Sequence, residues 1–208
     1  SIYINDGASN YLSTPNSSDF DFGTGDFTME MWVRPTSTAG QDLMGQIRVD
    51  GTGECSMRAN TTTNYFYFAI TGDTIAKDCV GTSAIPINTW THLAAVRDGE
   101  TLRVYFNGVQ ENTTAFGTQS QTTPTVPYYI GTTAYTRTGS GGPGAGYDGY
   151  YGYMDEIRIS NTCRYPNGTT FTTFGQDGGT IASPTPFTAD ANTKLLIHSN
   201  WDGGLGAD

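Results

Sequence analysis

The strict alternation over Phe27–Pro35, FTMEMWVRP, most constrains what this chain can fold into. One side of the alternation carries Phe27, Met29, Met31 and Val33, and the other carries Thr28, Glu30, Trp32 and Arg34. A period of two residues predicts a half-buried β-strand and is incompatible with a helix. Pro35 is expected to end the strand, because proline cannot donate a hydrogen bond to a neighbouring strand.

Short segments of the same kind, separated by turn signals, recur along the chain. The strongest are Tyr65–Thr71, Trp90–Arg97, Thr101–Asn107 and Met154–Ser160, and Asn107-Gly108 is a typical type I′ hairpin turn. The composition agrees, since only 14% of the residues are charged and the chain has 27 glycines and 13 tyrosines. We predict an all-β fold with no α-helix, a two-sheet antiparallel sandwich. The length of 208 residues suits one such sandwich.

The charge and hydropathy exclude two classes of partner. The formal net charge is −10, so nucleic-acid phosphates and anionic membranes would repel the chain. No apolar run of about 20 residues occurs, so no membrane insertion is expected.

The cysteine count argues against a metal or disulfide framework. The three cysteines, Cys55, Cys79 and Cys163, form no CxxC pair and no cluster with histidine. A Cys55–Cys79 bridge within one meander and three free thiols are both open, and the odd number favours free thiols.

Six motifs occur in a fixed order: Asn5–Gly7, Gly25–Thr28, Glu30–Val33, Trp90–Ala94, Leu102–Gly108 and Gly152–Ile159. Together they resemble the laminin-G-like jelly rolls of the concanavalin A-like lectin and glucanase superfamily. The resemblance implies a jelly-roll sandwich over residues 1–163. Residues 164–208 are then an extension with a strand that leads to a possible further module. Segments of this tail, such as Ala189–Asp208, resemble the links between tandem modules in large virion proteins of marine tailed phages, which implies a longer chain.

Catalysis of the glucanase type is not expected. It needs two carboxylates on one strand face about 5 Å apart, and no E-x-D-x-x-E pattern is present. Asp155 and Glu156 are adjacent, so simple alternation sends them to opposite faces. His92, in line with Trp90 on its strand, is expected to pack or hydrogen-bond at the core edge. We predict that the protein is not an enzyme.

A calcium ion is one of two roles predicted for Asp155. Alternation places Asp155 on the core face with Ile157 and Ile159, where a carboxylate needs partners. It either accepts backbone N–H bonds or joins Asp6 around a structural Ca²⁺, which the family resemblance permits. Asp19, Asp21 and Asp26 are further candidate cation ligands, although turn formation accounts for them better.

The Gly-rich stretch 138–152 is predicted to be an exposed loop that carries the contact residues Tyr147, Asp148, Tyr150 and Tyr151. Tyrosine rings stack on sugars, and acidic and amide groups bind hydroxyls. The same residues suit contact with a neighbouring subunit equally well.

These observations favour a non-catalytic adhesion or structural module at the virion surface, in a phage decoration or fibre protein. Glycans or neighbouring virion subunits are the expected partners, and a homo-oligomer is compatible with that role. The alternative is a secreted, extracellular lectin or a carbohydrate-binding module attached to a polysaccharide-active enzyme.

Overall fold

The computed structural model describes residues 1–5, 10–38, 41–47, 53–60, 62–122, 124–133, 149–166, 168, 170–173, 176–177, 180–181 and 186–199. Its fifteen strands are β1 Ile2–Ile4, β2 Leu12–Thr14, β3 Phe27–Pro35, β4 Gln41–Ile47, β5 Glu54–Ala59, β6 Tyr65–Thr71, β7 Ala76–Ala84, β8 Thr91–Asp98, β9 Thr101–Phe106, β10 Val109–Ala115, β11 Tyr128–Ile130, β12 Gly152–Ser160, β13 Gln176–Asp177, β14 Thr180–Ile181 and β15 Thr193–Ile197. One 3₁₀ turn, Ser18–Phe20, is the only helical element among these residues.

Two antiparallel sheets form a sandwich, which confirms the predicted jelly roll. Sheet A has the order β1-β12-β3-β8-β9-β10, with β15 also paired to β12, and sheet B has the order β2-β11-β4-β5-β6-β7. The alternate apolar residues of the strands meet between the sheets. Core side chains from sheet A include Phe27, Met29, Met31, Val33, Leu93 and Val104, and those from sheet B include Met57, Phe66, Phe68 and Ile70.

The Asn107-Gly108 turn places β9 and β10 side by side in sheet A. Asn107 and Gly108 have φ angles of 48° and 77°. Two successive positive φ angles define the type I′ turn predicted from the Asn-Gly pair, and this turn joins β9 to β10.

The prediction that β3 is half-buried is wrong, because both faces of the strand are covered. Its inner face packs in the core, and Glu30 and Trp32 on the outer face are also fully buried. The cover is the segment after β12, since the Thr28 hydroxyl donates to the Thr162 carbonyl at 2.8 Å and the Tyr165 hydroxyl donates to Glu30 at 2.7 Å.

A β-bulge in β12 corrects the predicted position of Asp155. The pairing with β3 shifts between Asp155 and Arg158, and Glu156 has a φ of 46°. The extra residue resets the alternation. Met154 and Ile157 therefore face the core, while Asp155 lies opposite Trp32 on the outer side. Simple alternation predicts that Asp155 shares the core face with Ile157, and this prediction is wrong.

Parts of residues 164–199 pack on the sandwich, while β13 and β14 pair with each other. The predicted tail strand β15 pairs with β12 over Ile157–Ser160, and β1 pairs with the other half of β12 over Gly152–Met154. The division of the chain at residue 163 stays a prediction. The described residues contain no helix long and apolar enough to cross a membrane. Cys55, Cys79 and Cys163 are free thiols.

Candidate functional site

The predicted contact residues do not share one environment. Tyr147 and Asp148 lie outside the described residues. Tyr150 is fully buried, and its hydroxyl donates to the Tyr153 carbonyl at 2.9 Å and accepts the Arg34 N–H at 3.1 Å. It is a core residue, so its predicted position in an exposed loop is wrong.

Tyr151 is half-buried, and its carbonyl accepts a 2.9 Å hydrogen bond from the Thr36 N–H. Gly149, two residues earlier, forms a parallel bridge with Asp42 on β4. The last described part of the Gly-rich stretch therefore reaches sheet B beside Asp42, at the start of β4.

Of the predicted calcium ligands, Asp6 lies outside the described residues. Asp155 is fully buried, and its Oδ1 accepts the N–H groups of Glu156 at 2.8 Å and Ser199 at 3.1 Å. The Ser199 hydroxyl donates to the same oxygen. Among the described residues no group of three acidic, histidine or cysteine side chains is close enough to hold a metal ion. Calcium stays a prediction.

Glu30 occupies the centre of a buried network on the outer face of sheet A. Its Oε1 accepts two hydrogen bonds from Arg158, at 2.8 and 2.6 Å, and its Oε2 contacts His92 Nε2 at 3.1 Å. Burial by itself raises the pKa of Glu30, but the contacts with His92, Arg158 and Tyr165 outweigh it and lower the pKa. Glu30, His92 and Arg158 are buried, and Tyr165 joins the extension to the sandwich through this network, so we interpret it as structural.

The outer face of sheet B has a different construction. Gly45, Ser56 and Ala69 are successive register partners on β4, β5 and β6, so they lie side by side on one face. Their neighbours Met44, Met57 and Phe68 belong to the core, which places these small residues on the outward side. We call this row of small residues, with the larger side chains around it, the sheet B trough.

Glycine is required at position 45 of this row. Its φ is 153°, and a Cβ atom there would lie 2.5 Å from both the Cys55 carbonyl oxygen and the Ser56 Cβ. The row ends at Tyr129, the register partner of Gly45 on β11. Gly45, Ser56 and Ala69 are small and are themselves buried, so the side chains of the rows beside them form the exposed part of this face.

Polar side chains line the trough on both sides. Asp42, Arg58 and Tyr67 form the next row, in which Arg58 Nε donates to Asp42 Oδ1 at 2.6 Å. The guanidinium carbon of Arg58 lies 5.7 Å from the centre of the Tyr67 ring. On the other side, Glu54 Oε1 accepts from the Ser56 hydroxyl at 2.6 Å and from Arg58 Nη1 at 3.3 Å.

These groups are partly withdrawn from water. Burial raises the pKa of Glu54, although Ser56 and Arg58 act in the opposite direction. Burial also raises the pKa of Tyr67 to about 12. Perturbed, partly exposed groups gathered in a depression are typical of binding sites. The trough offers the Arg58 guanidinium, the Glu54 carboxylate and the Tyr67 ring, each partly exposed, which together can bind a hydroxyl-rich ligand.

Sequence reasoning missed these residues. Asp42, Glu54 and Arg58 lie on strands whose alternation is interrupted by a register shift between Asp42 and Met44. The one signal in the sequence is Glu54–Arg58, ECSMR, where a small serine lies between two charged residues at alternate positions. This signal indicates a site only when the pairing of β4, β5 and β6 is known.

The sequence profile of the Laminin_G_3 family, described as the concanavalin A-like lectin/glucanases superfamily, matches residues 6–167. No curated protein sequence matches the chain.

Three solved structures illustrate the shared fold. A candidate carbohydrate-binding protein from Bacteroides ovatus superposes with a TM-score of 0.61 at 16% identity, over 91% of this chain and 48% of that one. Domain 4 of AbnA, an extracellular arabinanase of Geobacillus stearothermophilus solved with arabinotriose, gives 0.56 at 20% identity, over 79% and 71%. Mouse laminin α1 domains LG4-5 give 0.58 at 15% identity, over 80% and 44%. The chain thus spans about half the length of the Bacteroides protein.

Proposed function

Since the chain belongs to the Laminin_G_3 family of the concanavalin A-like lectin/glucanases superfamily, we propose that it is a non-catalytic module that binds glycans in the sheet B trough. The observation that carries this proposal is the partly buried polar group around Arg58 on the outward face of sheet B. Phe171, Phe187 and Tyr165 of the extension cover part of the outer face of sheet A, so the trough is the better-placed surface for a ligand.

The trough groups suit a neutral sugar. Asp42 is buried and holds the Arg58 guanidinium in place. The Arg58 guanidinium donates to sugar hydroxyls, the Glu54 carboxylate accepts from them, and Tyr67 provides an apolar ring. Two carboxylates surround one guanidinium, and the chain carries a net charge of −10, so an anionic sugar would be repelled. The solved complex of AbnA domain 4 with arabinotriose supports a neutral oligosaccharide as the first ligand to test.

A non-catalytic role is supported by the positions of the acidic residues on sheet A. Glu30 is enclosed by Arg158, His92 and Tyr165, and the Glu156 carboxylate accepts the Phe187 N–H at 2.7 Å and contacts His198 Nδ1 at 2.9 Å. These carboxylates stabilise the fold and have no open space beside them in which a glycosidic bond could lie.

The test is a glycan array of neutral oligosaccharides, followed by calorimetry with the best ligand. Arg58→Lys keeps the positive charge but loses the planar fork, so we expect affinity to fall about tenfold or more. The control is Arg103→Lys on sheet A, where Arg103 Nη2 pairs with Asp98 at 3.1 Å and no binding role is proposed. Equal affinities of both variants and the parent protein would refute the proposal.

For the biological setting we propose an extracellular surface, in a phage decoration or fibre protein at the virion surface that contacts glycans or neighbouring virion subunits. The alternative is attachment to a polysaccharide-active enzyme, the setting of the AbnA domain. Mass spectrometry of purified virus particles distinguishes them, since only the first setting places the chain in the particle at a stoichiometric ratio to capsid or tail proteins.

A further inference from the structure

A second surface, on the opposite sheet, carries a row of aromatic residues. Tyr3 on β1 pairs with Tyr153 on β12, and Tyr153 pairs with Arg34 on β3. Trp90 continues the row beside β3, because it precedes Thr91, the partner of Val33. Met154 and Val33 face the core, so the row faces outward. We call Tyr3, Tyr153, Arg34 and Trp90 the aromatic strip.

The side chains of the strip are in mutual contact. The ring centres of Tyr3 and Tyr153 are 4.7 Å apart, and those of Tyr153 and Trp90 are 6.5 Å apart. The Arg34 guanidinium carbon lies 5.4 Å from the Tyr153 ring centre, and its Nε donates to the Asn88 carbonyl at 3.3 Å. Arg34 is thus held against the aromatic ring as part of the same surface.

The strip stays accessible where the rest of this face is closed. Phe171 and Phe187 of the extension reach His92, which is two residues from Trp90 on the same face. By contrast, Tyr3 is 54% exposed, and Tyr153, Arg34 and Trp90 are half-buried. Aromatic rings gathered at a protein surface often mark a place where a ligand binds, so the strip suggests a ligand.

We propose that the aromatic strip is a second glycan-binding site, which binds a single chain of a neutral polysaccharide by stacking. Four adjacent strands extend the strip over roughly 14 Å, the length of a short oligosaccharide segment. The apolar C–H faces of sugar rings pack on the aromatic side chains, and the Arg34 guanidinium lies among them as a hydroxyl donor. The net charge of −10 favours a neutral polymer over a polyanion.

The ring orientations define the form of the polymer. The planes of Tyr3 and Tyr153 differ by 39° and those of Tyr153 and Trp90 by 59°. A flat crystalline surface cannot contact three rings that are tilted in this way. A single dissolved chain can, because its successive sugar rings rotate about the chain axis.

The experiment is affinity electrophoresis of the whole chain in gels that contain a soluble neutral polysaccharide: arabinan, xylan, galactomannan or β-glucan. Binding to crystalline cellulose is measured in parallel. We expect Tyr3→Ala and Tyr153→Ala each to weaken binding to at least one soluble polymer about two- to tenfold, with no binding to the crystalline surface. Val109→Ala, which truncates another exposed apolar side chain on β10 at the opposite edge of sheet A, is the control, and melting curves establish that each variant folds.

Arg58→Lys separates this inference from the proposed function. Loss of affinity in Arg58→Lys with unchanged affinity in both strip variants would overturn the strip and leave the trough intact. The reverse pattern would support the strip and refute the trough. A strip variant that changes the sedimentation coefficient but binds every polymer like the parent would also overturn the inference, since it would show that the strip is a contact between protein copies.

Discussion

Replacement of Glu30 by glutamine tests how the extension is attached to the sandwich. The Glu30 side chain is fully buried, and the side chain of its partner Arg158 is 8% exposed. The substitution keeps the volume but removes the negative charge, which leaves the Arg158 guanidinium buried without its counter-ion. Removal of one member of a buried pair costs about 3–5 kcal/mol.

For a chain of this size each kcal/mol shifts the melting temperature by about 2–4 °C, so Glu30→Gln should lower it by roughly 6–20 °C. The control is Asp98→Asn, which removes the carboxylate from the more exposed pair with Arg103 and should cost about 0–1 kcal/mol. Calorimetry of the three proteins at pH 7 makes the comparison. A Glu30→Gln protein that melts at or above the parent temperature would show that the network does not stabilise the fold.

The pH dependence of the same variant has a defined sign. The folded state lowers the pKa of Glu30 from its ordinary value of 4.5, so the ionised form is the stabilised one. Its contribution is fully present above about pH 4.5 and is lost as the pH falls through the lowered folded-state pKa. The difference in unfolding free energy between parent and variant should therefore decrease as the pH falls below about 4.5.

Three further predictions concern single groups. Tyr150→Phe removes the hydroxyl that accepts the Arg34 N–H and should lower the free energy of unfolding in urea by about 1–3 kcal/mol. The affinity of the sheet B trough for glycan should stay unchanged, and a loss of affinity would contradict the core role of Tyr150. Because the folded state raises the pKa of Glu54 above 4.5, Glu54→Gln should stabilise the protein at pH 7 and weaken glycan binding, and the stabilisation should vanish below about pH 4.5; a less stable variant at pH 7 would contradict the raised pKa. If Asp6 and Asp155 hold calcium, the melting temperature should be lower in excess EDTA than in millimolar Ca²⁺, and identical melting would refute that site.

The sequence predicted the strands well because their signals are local. Alternation and turn residues located β6 without error, and the Asn107-Gly108 turn was predicted with its correct type. Such signals depend on neighbours along the chain, so one sequence contains them.

The candidate site depends on contacts between distant segments, and these were not predictable. The sheet B trough exists because Gly45, Ser56 and Ala69 meet across three strands, and no single segment shows that alignment. Asp155 was placed on the wrong face because one extra residue at Glu156 inverts the alternation. Tyr150 was taken for a loop residue because its position beside three glycines hides the hydrogen bonds that bury it.

Binding of a neutral glycan to the outward face of sheet B can be observed directly by NMR spectroscopy. The most direct measurement is a titration of the ¹⁵N-labelled protein with the best array ligand, followed by amide chemical-shift mapping. We expect the largest saturable shifts on residues 42–47, 54–58 and 65–71, with a smaller group around Tyr3 and Tyr153. Two results would contradict glycan binding by sheet B: saturable shifts that fall only outside these strands, or no saturable shift with any neutral oligosaccharide.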